Sequence, residues 1–191
     1  MLGRAVGLVS IAIVLASVFA EATLADSDVV SAKSPPEKTV SVPKPHKVLD
    51  KLKTAYFPNY SAKILMPVQF QKKDLNGQLT AMGADLPHGI YMFLSMTGPD
   101  DEELTPEKIK PIVRAAIEGM KAEVDTESSV KLKDYDGLEM RGKVKVEADV
   151  QAIARGYVAG KKLYLVSAMG TAVWINSKDV TRFFNSFEIT P

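Results

Sequence analysis

The stretch 136–170, DGLEMRGKVKVEADVQAIARGYVAGKKLYLVSAMG, carries the clearest secondary-structure pattern of the chain. It holds runs rich in β-branched and aromatic residues, and the run 138–146 alternates apolar with charged residues, as a strand with one buried face does. Gly160 stands between the two later runs and suits the first central position of a tight hairpin turn. The stretch therefore predicts antiparallel strands in which Tyr157 lies opposite Tyr164.

The alternation in the first of these strands also predicts which residues face solvent. Asp136-Gly137 precedes the strand and is a typical hairpin signal, so we expect a turn there. The charged face is expected to be exposed; it consists of Glu139, Arg141, Lys143 and Lys145.

Further strands are expected upstream. The segment 60–67, YSAKILMP, predicts a first strand that ends at a proline, and Asn76-Gly77 predicts a hairpin between 68–75 and 78–86. The segment 89–98, GIYMFLSMTG, is almost continuously apolar. It is therefore expected to be a central strand covered on both faces.

Two helices complete the predicted fold. The segment 105–124 has an apolar stripe at helical spacing, and Pro111 means that the helix either bends there or begins near Lys110. A second helix after Asn176 or Ser177 carries four apolar side chains at helical spacing: Val180, Phe183, Phe184 and Phe187. Ala152, Ala154 and Gly156 form a strand face so small that a helix is expected to pack closely on it. We expect an α+β fold, an α/β/α sandwich in which an antiparallel sheet of about five to seven strands packs with a mid-chain and a C-terminal helix.

The N-terminal region predicts export. A short basic segment with Arg4 precedes an uncharged run from Ala5 to Ala20, which fits a secretion signal and is short for a membrane span. We expect a signal peptide over residues 1–25, cleaved after Ala25 or alternatively after Ala22; the other interpretation is an uncleaved anchor. Residues 26–47 are proline-rich and predict a disordered linker, and residues 48–191 predict a single domain.

Composition excludes several classes of protein. The net charge of +1 gives no bulk attraction for nucleic acid, and the absence of cysteine excludes disulfides, thiolate metal sites and lipid anchoring through cysteine. The two histidines, His46 and His88, are far apart in sequence. We expect no catalytic residue set, no metal site and no cofactor; a calcium loop at 100–103 lacks the usual ligand spacing.

Arg141, Arg155 and Tyr157 are the candidate binding residues. Both arginines lie in predicted strands, where a guanidinium group must reach water or find a partner. Arg155 shares its strand face with Tyr157, so it can lie along the aromatic ring and keep donors for a carboxylate or phosphate. The alternative is an internal ion pair with an acidic residue on a neighbouring strand.

The motifs DGLEMRG, ARGYVAGKKLYLVSAMG and FFNSFEI, in this order, resemble a known group of domains. This group contains the PsbP extrinsic photosystem subunit and a Ran-binding nuclear-transport protein, and the chain is most similar to its uncharacterised exported bacterial branch. The resemblance covers roughly residues 57–190 and implies an α/β/α sandwich. Because members of the group are accessory or binding proteins without a shared active site, it also implies a non-enzymatic role.

The sequence thus predicts an exported, periplasmic or extracellular binding or accessory module. An envelope or extracellular protein is the expected partner, with no nucleic acid and no membrane span after cleavage. The alternative is an extracytoplasmic hydrolase whose carboxylate and lysine groups come together only in the folded chain. A concave pocket with such groups would favour this alternative.

Overall fold

A seven-stranded antiparallel sheet is the middle layer of the structure, a computed structural model that describes residues 52–57, 59, 61–68, 70–75, 79–98, 104–145 and 149–190. The strand order is β3-β4-β5-β9-β8-β7-β6. These strands are β3 (Gln71–Leu75), β4 (Leu79–Leu86), β5 (Gly89–Thr97), β6 (Ala122–Leu132), β7 (Tyr135–Val144), β8 (Val150–Ala159) and β9 (Lys162–Thr171). The predicted α+β sandwich is confirmed, and β5 is buried along its centre as expected.

Helix α1 (Pro106–Gly119) covers one face of this sheet. Its buried side chains pack on β8 where the strand has only small residues, as the sequence predicted. A Cβ atom added to Gly156 would lie 2.5 Å from the Cγ2 atoms of Ile109 and Val113. The missing side chain is therefore what lets the helix approach the strand. Pro111 lies inside the helix, which begins at Pro106.

The other face is covered by the C-terminal elements and a second, small sheet. Short helix α2 (Ala172–Ile175) and α3 (Lys178–Asn185) pack beside a three-stranded sheet of order β1-β2-β10. Its strands are β1 (Leu52–Phe57), β2 (Ala62–Pro67) and β10 (Glu188–Ile189). The expected first strand is thus the second one and belongs to a separate sheet.

Aromatic side chains fill the space between these two sheets. The ring of Phe187 lies 5.7 Å from that of Phe93 and 5.6 Å from those of Tyr157 and Tyr164. Phe93 in turn lies 4.6 Å from Phe57 of β1. Because these rings come from both sheets and the segment after α3, the C-terminus forms part of the core.

Two sequence-based boundaries are wrong. α1 ends at Gly119 and β6 begins at Ala122, so the predicted helix over 105–124 is too long. Lys121 has a φ of 58° between them, which reverses the chain without a glycine. The turn expected at Asp136-Gly137 lies instead at Lys133–Asp134, because Leu132 pairs with Tyr135.

Other local predictions are confirmed. Gly160 has a φ of 61° in the two-residue turn between β8 and β9, and Tyr157 lies opposite Tyr164. The Ser177 hydroxyl accepts a hydrogen bond from the Val180 N–H at 3.4 Å and so caps α3. His88 is exposed in the turn before β5.

Several predictions concern residues outside the described ones. These are the signal peptide at 1–25, the linker at 26–47, the Asn76-Gly77 turn and the acidic segment 100–103. Among the described helices, none combines the length and the apolar character that a bilayer crossing requires.

We predict that Gly156→Ala destabilises the protein by about 1–3 kcal/mol, because the new methyl group overlaps two stiff β-branched side chains of α1. The free energy of unfolding from urea titration measures the effect. Gly83→Ala is the matched control, since its nearest neighbouring atom would be 3.9 Å away. Equal stability of the two variants would show that α1 is not held against β8 at this distance.

Candidate functional site

The three predicted binding residues lie together on one face of β7 and β8. The antiparallel register places Glu139 of β7 opposite Arg155 of β8. Arg141 and Tyr157 each follow by two residues along their strands, so their side chains lie on the same face of the sheet. The structure therefore brings Arg141, Arg155 and Tyr157 together around Glu139.

Both arginines bind the same carboxylate. Nε of Arg155 donates to Oε2 of Glu139 at 2.6 Å, and Nε of Arg141 donates to Oε1 at 2.8 Å. The internal ion pair considered for Arg155 is thus present, and it is shared by two cations. Neither hydrogen bond uses the terminal nitrogens of a guanidinium group. The three side chains together carry one net positive charge.

Glu139 is buried, with 7% of its surface exposed, so the prediction that it faces solvent is wrong. Lys143 of the same strand and Lys145, which follows the strand, are exposed, as expected. The alternating pattern is the same at all these positions, but Glu139 lies where the cover provided by α3 and the small sheet begins. Two arginines at this border replace the water that a carboxylate would otherwise bind.

Aromatic rings support the arginine that lies further inside. The guanidinium carbon of Arg155 lies 4.7 Å from the centre of the Phe184 ring on α3, a cation–π distance. Tyr157 stacks on Phe187 with 5.6 Å between ring centres. The cation–π partner of Arg155 is thus Phe184, whereas the sequence pointed to the ring of Tyr157.

Burial and charge fix the protonation state of the site. Burial raises the pKa of Glu139, but hydrogen bonds and charges from Arg141 and Arg155 outweigh it and lower the pKa below the usual glutamate range. Burial also raises the pKa of Tyr157, although the Arg155 charge acts in the opposite direction. At neutral pH the site holds an ionised Glu139 and a neutral Tyr157.

The site is open on the side of β7. The side chain of Arg141 is 43% exposed, against 22% for Arg155 and 9% for Glu139. On the neighbouring strand β6, Thr126 lies opposite Arg141 and Ser128 opposite Glu139, and both are exposed. An anionic group approaching from solvent would thus meet a guanidinium group next to two hydroxyl groups.

A groove of about 530 Å³ lies elsewhere, beside the first turn of α1, the end of β6 and the beginning of β7. Ile109 and Leu138 form apolar parts of its wall. Its charged groups, Lys131 and Asp136, are 3.4 Å apart, and their side chains are 76% and 64% exposed. Both charged groups of this groove are therefore largely in contact with solvent.

Sequence reasoning missed Glu139 and Phe184. Glu139 could have been found from the pairing of β7 with β8, but these strands are joined by the segment between Val144 and Val150, which carries no tight-turn motif to fix their register. Phe184 belonged to the predicted helix stripe, whose partners the sequence does not specify. Within the described ranges, no three histidine, aspartate or glutamate side chains are grouped closely enough to hold a metal ion.

Comparison with solved structures identifies the fold. The chain is similar to the solution structure of the cyanobacterial PsbP protein (CyanoP) from Synechocystis sp. PCC 6803, with a TM-score of 0.54 and 13% identity over 78% of this chain and 98% of that one. The fold is PsbP-like. This confirms the resemblance in the motifs of β7 to β9 and α3 as a resemblance of fold.

Two further structures are more distant. A protein from Bacteroides thetaiotaomicron VPI-5482 aligns with a TM-score of 0.47 and 12% identity, over 74% of this chain and 49% of that one. A protein of unknown function from Pseudomonas aeruginosa aligns with a TM-score of 0.37 and 7% identity, over 65% and 85% of the two chains. No protein-family model matches the sequence, and no curated protein matches it.

We predict that the two arginines are strongly coupled in stability. Arg155→Ala alone should cost about 1–3 kcal/mol, since Arg141 still binds Glu139. Arg141→Ala/Arg155→Ala should cost more than the sum of the single variants, because only then is the buried carboxylate left unpaired. Chemical unfolding of the four proteins gives the coupling energy. Additive losses would contradict the shared-carboxylate arrangement.

The pH dependence of stability provides a separate prediction. Since folding lowers the pKa of Glu139, its ionised form contributes stability at neutral pH, and this contribution is lost as the pH falls through the lowered pKa. The difference in unfolding free energy between the wild type and Glu139→Gln should therefore be largest near neutral pH and shrink below pH ~4. Asp136→Asn, at an exposed ion pair, is the control and should change little at any pH. A constant wild-type advantage over Glu139→Gln across this range would rule out the assignment.

Proposed function

We propose that this chain is an exported binding or accessory module that holds an anionic group of a partner protein at Arg141, with Arg155, Tyr157 and Glu139 supporting that arginine. The partner group is a carboxylate or a phosphate, the two anions that match the planar guanidinium fork. Export rests on the predicted signal peptide at residues 1–25. The partner is accordingly an envelope or extracellular protein.

The sharing of one carboxylate by two guanidinium groups is the observation that carries this proposal. Glu139 compensates one of the two positive charges, and the other remains to attract an anion. An anion would contact Arg141 first, because it is the more exposed of the two arginines. Phe184 and Glu139 hold Arg155 in place. A guanidinium group that is already oriented loses little side-chain entropy when a ligand binds.

The hydrolase alternative receives less support from these residues. Glu139 is the only buried carboxylate among the side chains whose exposure the structure describes, and each of its oxygens accepts a hydrogen bond from an arginine. A carboxyl group held ionised in this way has no proton to donate as a general acid at neutral pH. Its position supports orientation of the arginines better than it supports catalysis.

The proposal predicts that Arg141 binds small anions directly. Titration with sodium acetate and, separately, with sodium phosphate should shift the NMR signal of the Arg141 Nε–H group and saturate in the millimolar range (Kd ~1 mM, about −4 kcal/mol). Sodium chloride at the same ionic strength controls for screening. The arm that saturates at lower concentration identifies the preferred anion. If neither anion shifts the signal more than chloride does, the site is not an anion site.

Capture of partners from the envelope fraction extends the test to the protein level. Immobilised wild-type protein should retain a partner that Arg141→Gln loses under conditions in which both proteins remain folded, as circular dichroism verifies. Lys143→Gln is the matched control, because it removes an exposed cation from the same strand face without touching Glu139. Loss of the same partner with both variants would indicate general charge attraction instead of a site.

A further inference from the structure

Strand β6 forms one edge of the seven-stranded sheet in the described part of the chain. A bulge between Val124 and Thr126 and the turn that begins at Lys133 bound a regular segment, Thr126–Leu132. Ser129 is the middle residue of this segment, and the side chains from Thr126 to Ser129 are exposed. Such an edge offers a row of backbone N–H and C=O groups to another strand.

The turn determines which backbone groups point outward. Leu132 and Tyr135 flank the two-residue turn and close the hairpin with backbone hydrogen bonds. Because bonded and non-bonded pairs alternate along an antiparallel ladder, the N–H and C=O groups of Glu127, Ser129 and Lys131 point away from β7. The same result is obtained when the alternation is followed from the β8–β9 turn through β8 and β7.

We propose that two copies of this chain form a symmetric dimer by antiparallel pairing of their β6 edges about a two-fold axis at Ser129. Ser129 then lies opposite Ser129 of the second copy, and Glu127 lies opposite Lys131 of the second copy on both sides of the axis. All three positions have outward-pointing backbone groups, so the ladder forms without a shift in register. Opposite charges in directly opposed positions stabilise such a pair.

The charge pattern extends beyond the edge strand. Within one chain, Nζ of Lys110 donates to Glu127 at 2.6 Å, and Lys131 lies 3.4 Å from Asp136. Across the proposed interface the row of side chains would run Lys110, Glu127, then Lys131 and Asp136 of the second copy, with alternating sign. This self-complementarity of the edge favours a second copy of the chain as its partner over an unrelated strand.

The opposite face of the paired strands has no charge conflict. There Thr126 would face Leu132 of the second copy, and Ser128 would face Val130. The bulge ends the regular pairing at Thr126, so the interface is short. We therefore expect a reversible dimer with a dissociation constant in the micromolar range or above. This inference does not depend on the anion site at Arg141.

A charge-swap experiment tests the proposal. In sedimentation velocity at micromolar to millimolar concentration, the full wild-type chain should shift from monomer to dimer. Glu127→Lys alone or Lys131→Glu alone places like charges opposite each other at both symmetry-related positions. Each should weaken the dimer by about tenfold or more, the equivalent of ~1.4 kcal/mol.

An equimolar mixture of the two variants should restore the dimer, because every opposed pair in the mixed interface is again one glutamate and one lysine. Both positions are exposed, and circular dichroism checks that each variant is folded. A wild type that remains monomeric throughout, or a mixture that associates no better than its components, overturns the proposal.

Oxidative cross-linking gives an independent measurement, since the chain contains no cysteine. Ser129→Cys should form a disulfide-linked dimer rapidly, as directly opposed residues of an antiparallel pair lie within disulfide range. Val173→Cys is the control, because this side chain is 83% exposed on α2 and outside the proposed interface. Equal cross-linking rates for the two variants would contradict the placement of the axis.

Discussion

Burial of the central strands on both faces is the constraint on which the rest of this structure depends. The central parts of strands β5, β8 and β9 are largely buried, so neither face of the sheet can be left to solvent. α1 covers one face, and α3 with the small sheet covers the other. The same constraint moves most charged residues of the sheet to β6 and β7, where this double cover ends.

Arg155 lies in the middle of the buried strand β8, and this position explains the chemistry of the site. A cation in β8 must be neutralised inside the protein, because transfer of an unpaired charge from water to the interior is costly. Glu139, directly opposite on β7, supplies the counter-charge, and the Phe184 ring supplies an apolar surface for the guanidinium plane. Arg141 then adds a second cation at the solvent side of the same carboxylate. In this cluster Arg155 is held inside the protein and has a structural role, whereas Arg141 is accessible from solvent.

The sequence was sufficient for features that depend on neighbouring residues. The Gly160 turn, the cap at Ser177, the apolar stripe of α3 and the close approach of a helix to Gly156 all follow from local pattern, and all are present. The turn at Lys133–Asp134 was misplaced because lysine with a positive φ carries no glycine signal, whereas the nearby Asp136-Gly137 does. The separate small sheet was missed because β10 has only two residues and pairs with a distant strand.

The candidate site could be predicted only in part, because it combines local sequence patterns with long-range contacts. Arg141, Arg155 and Tyr157 stood out because they occur in strand patterns where charge and aromatic groups are unusual. Glu139 did not, since an acidic residue in an alternating strand is normally solvent exposed. Its burial depends on cross-strand register and on where α3 ends its cover.

The charges and the bulge of β6 together limit how this edge can pair with another strand and in which register. Its exposed acidic side chains each pair with a basic one, as Asp125 does with Lys143 at 2.9 Å and Glu123 with Lys145 at 3.3 Å, so the edge is not a uniformly charged surface that repels every approaching strand. The bulge at its beginning interrupts regular pairing, which limits the open-ended association to which exposed edges are prone. The segment centred on Ser129 remains regular. In it, Glu127 lies two residues before Ser129 and Lys131 two residues after it, so a second copy running in the opposite direction places a lysine opposite each glutamate. A strand with that symmetry accepts its own copy in one register, and any shift of that register removes the Glu–Lys opposition. Within Thr126–Leu132 the regular backbone alone would allow two strands to pair in several registers. The charges of Glu127 and Lys131 favour one of them.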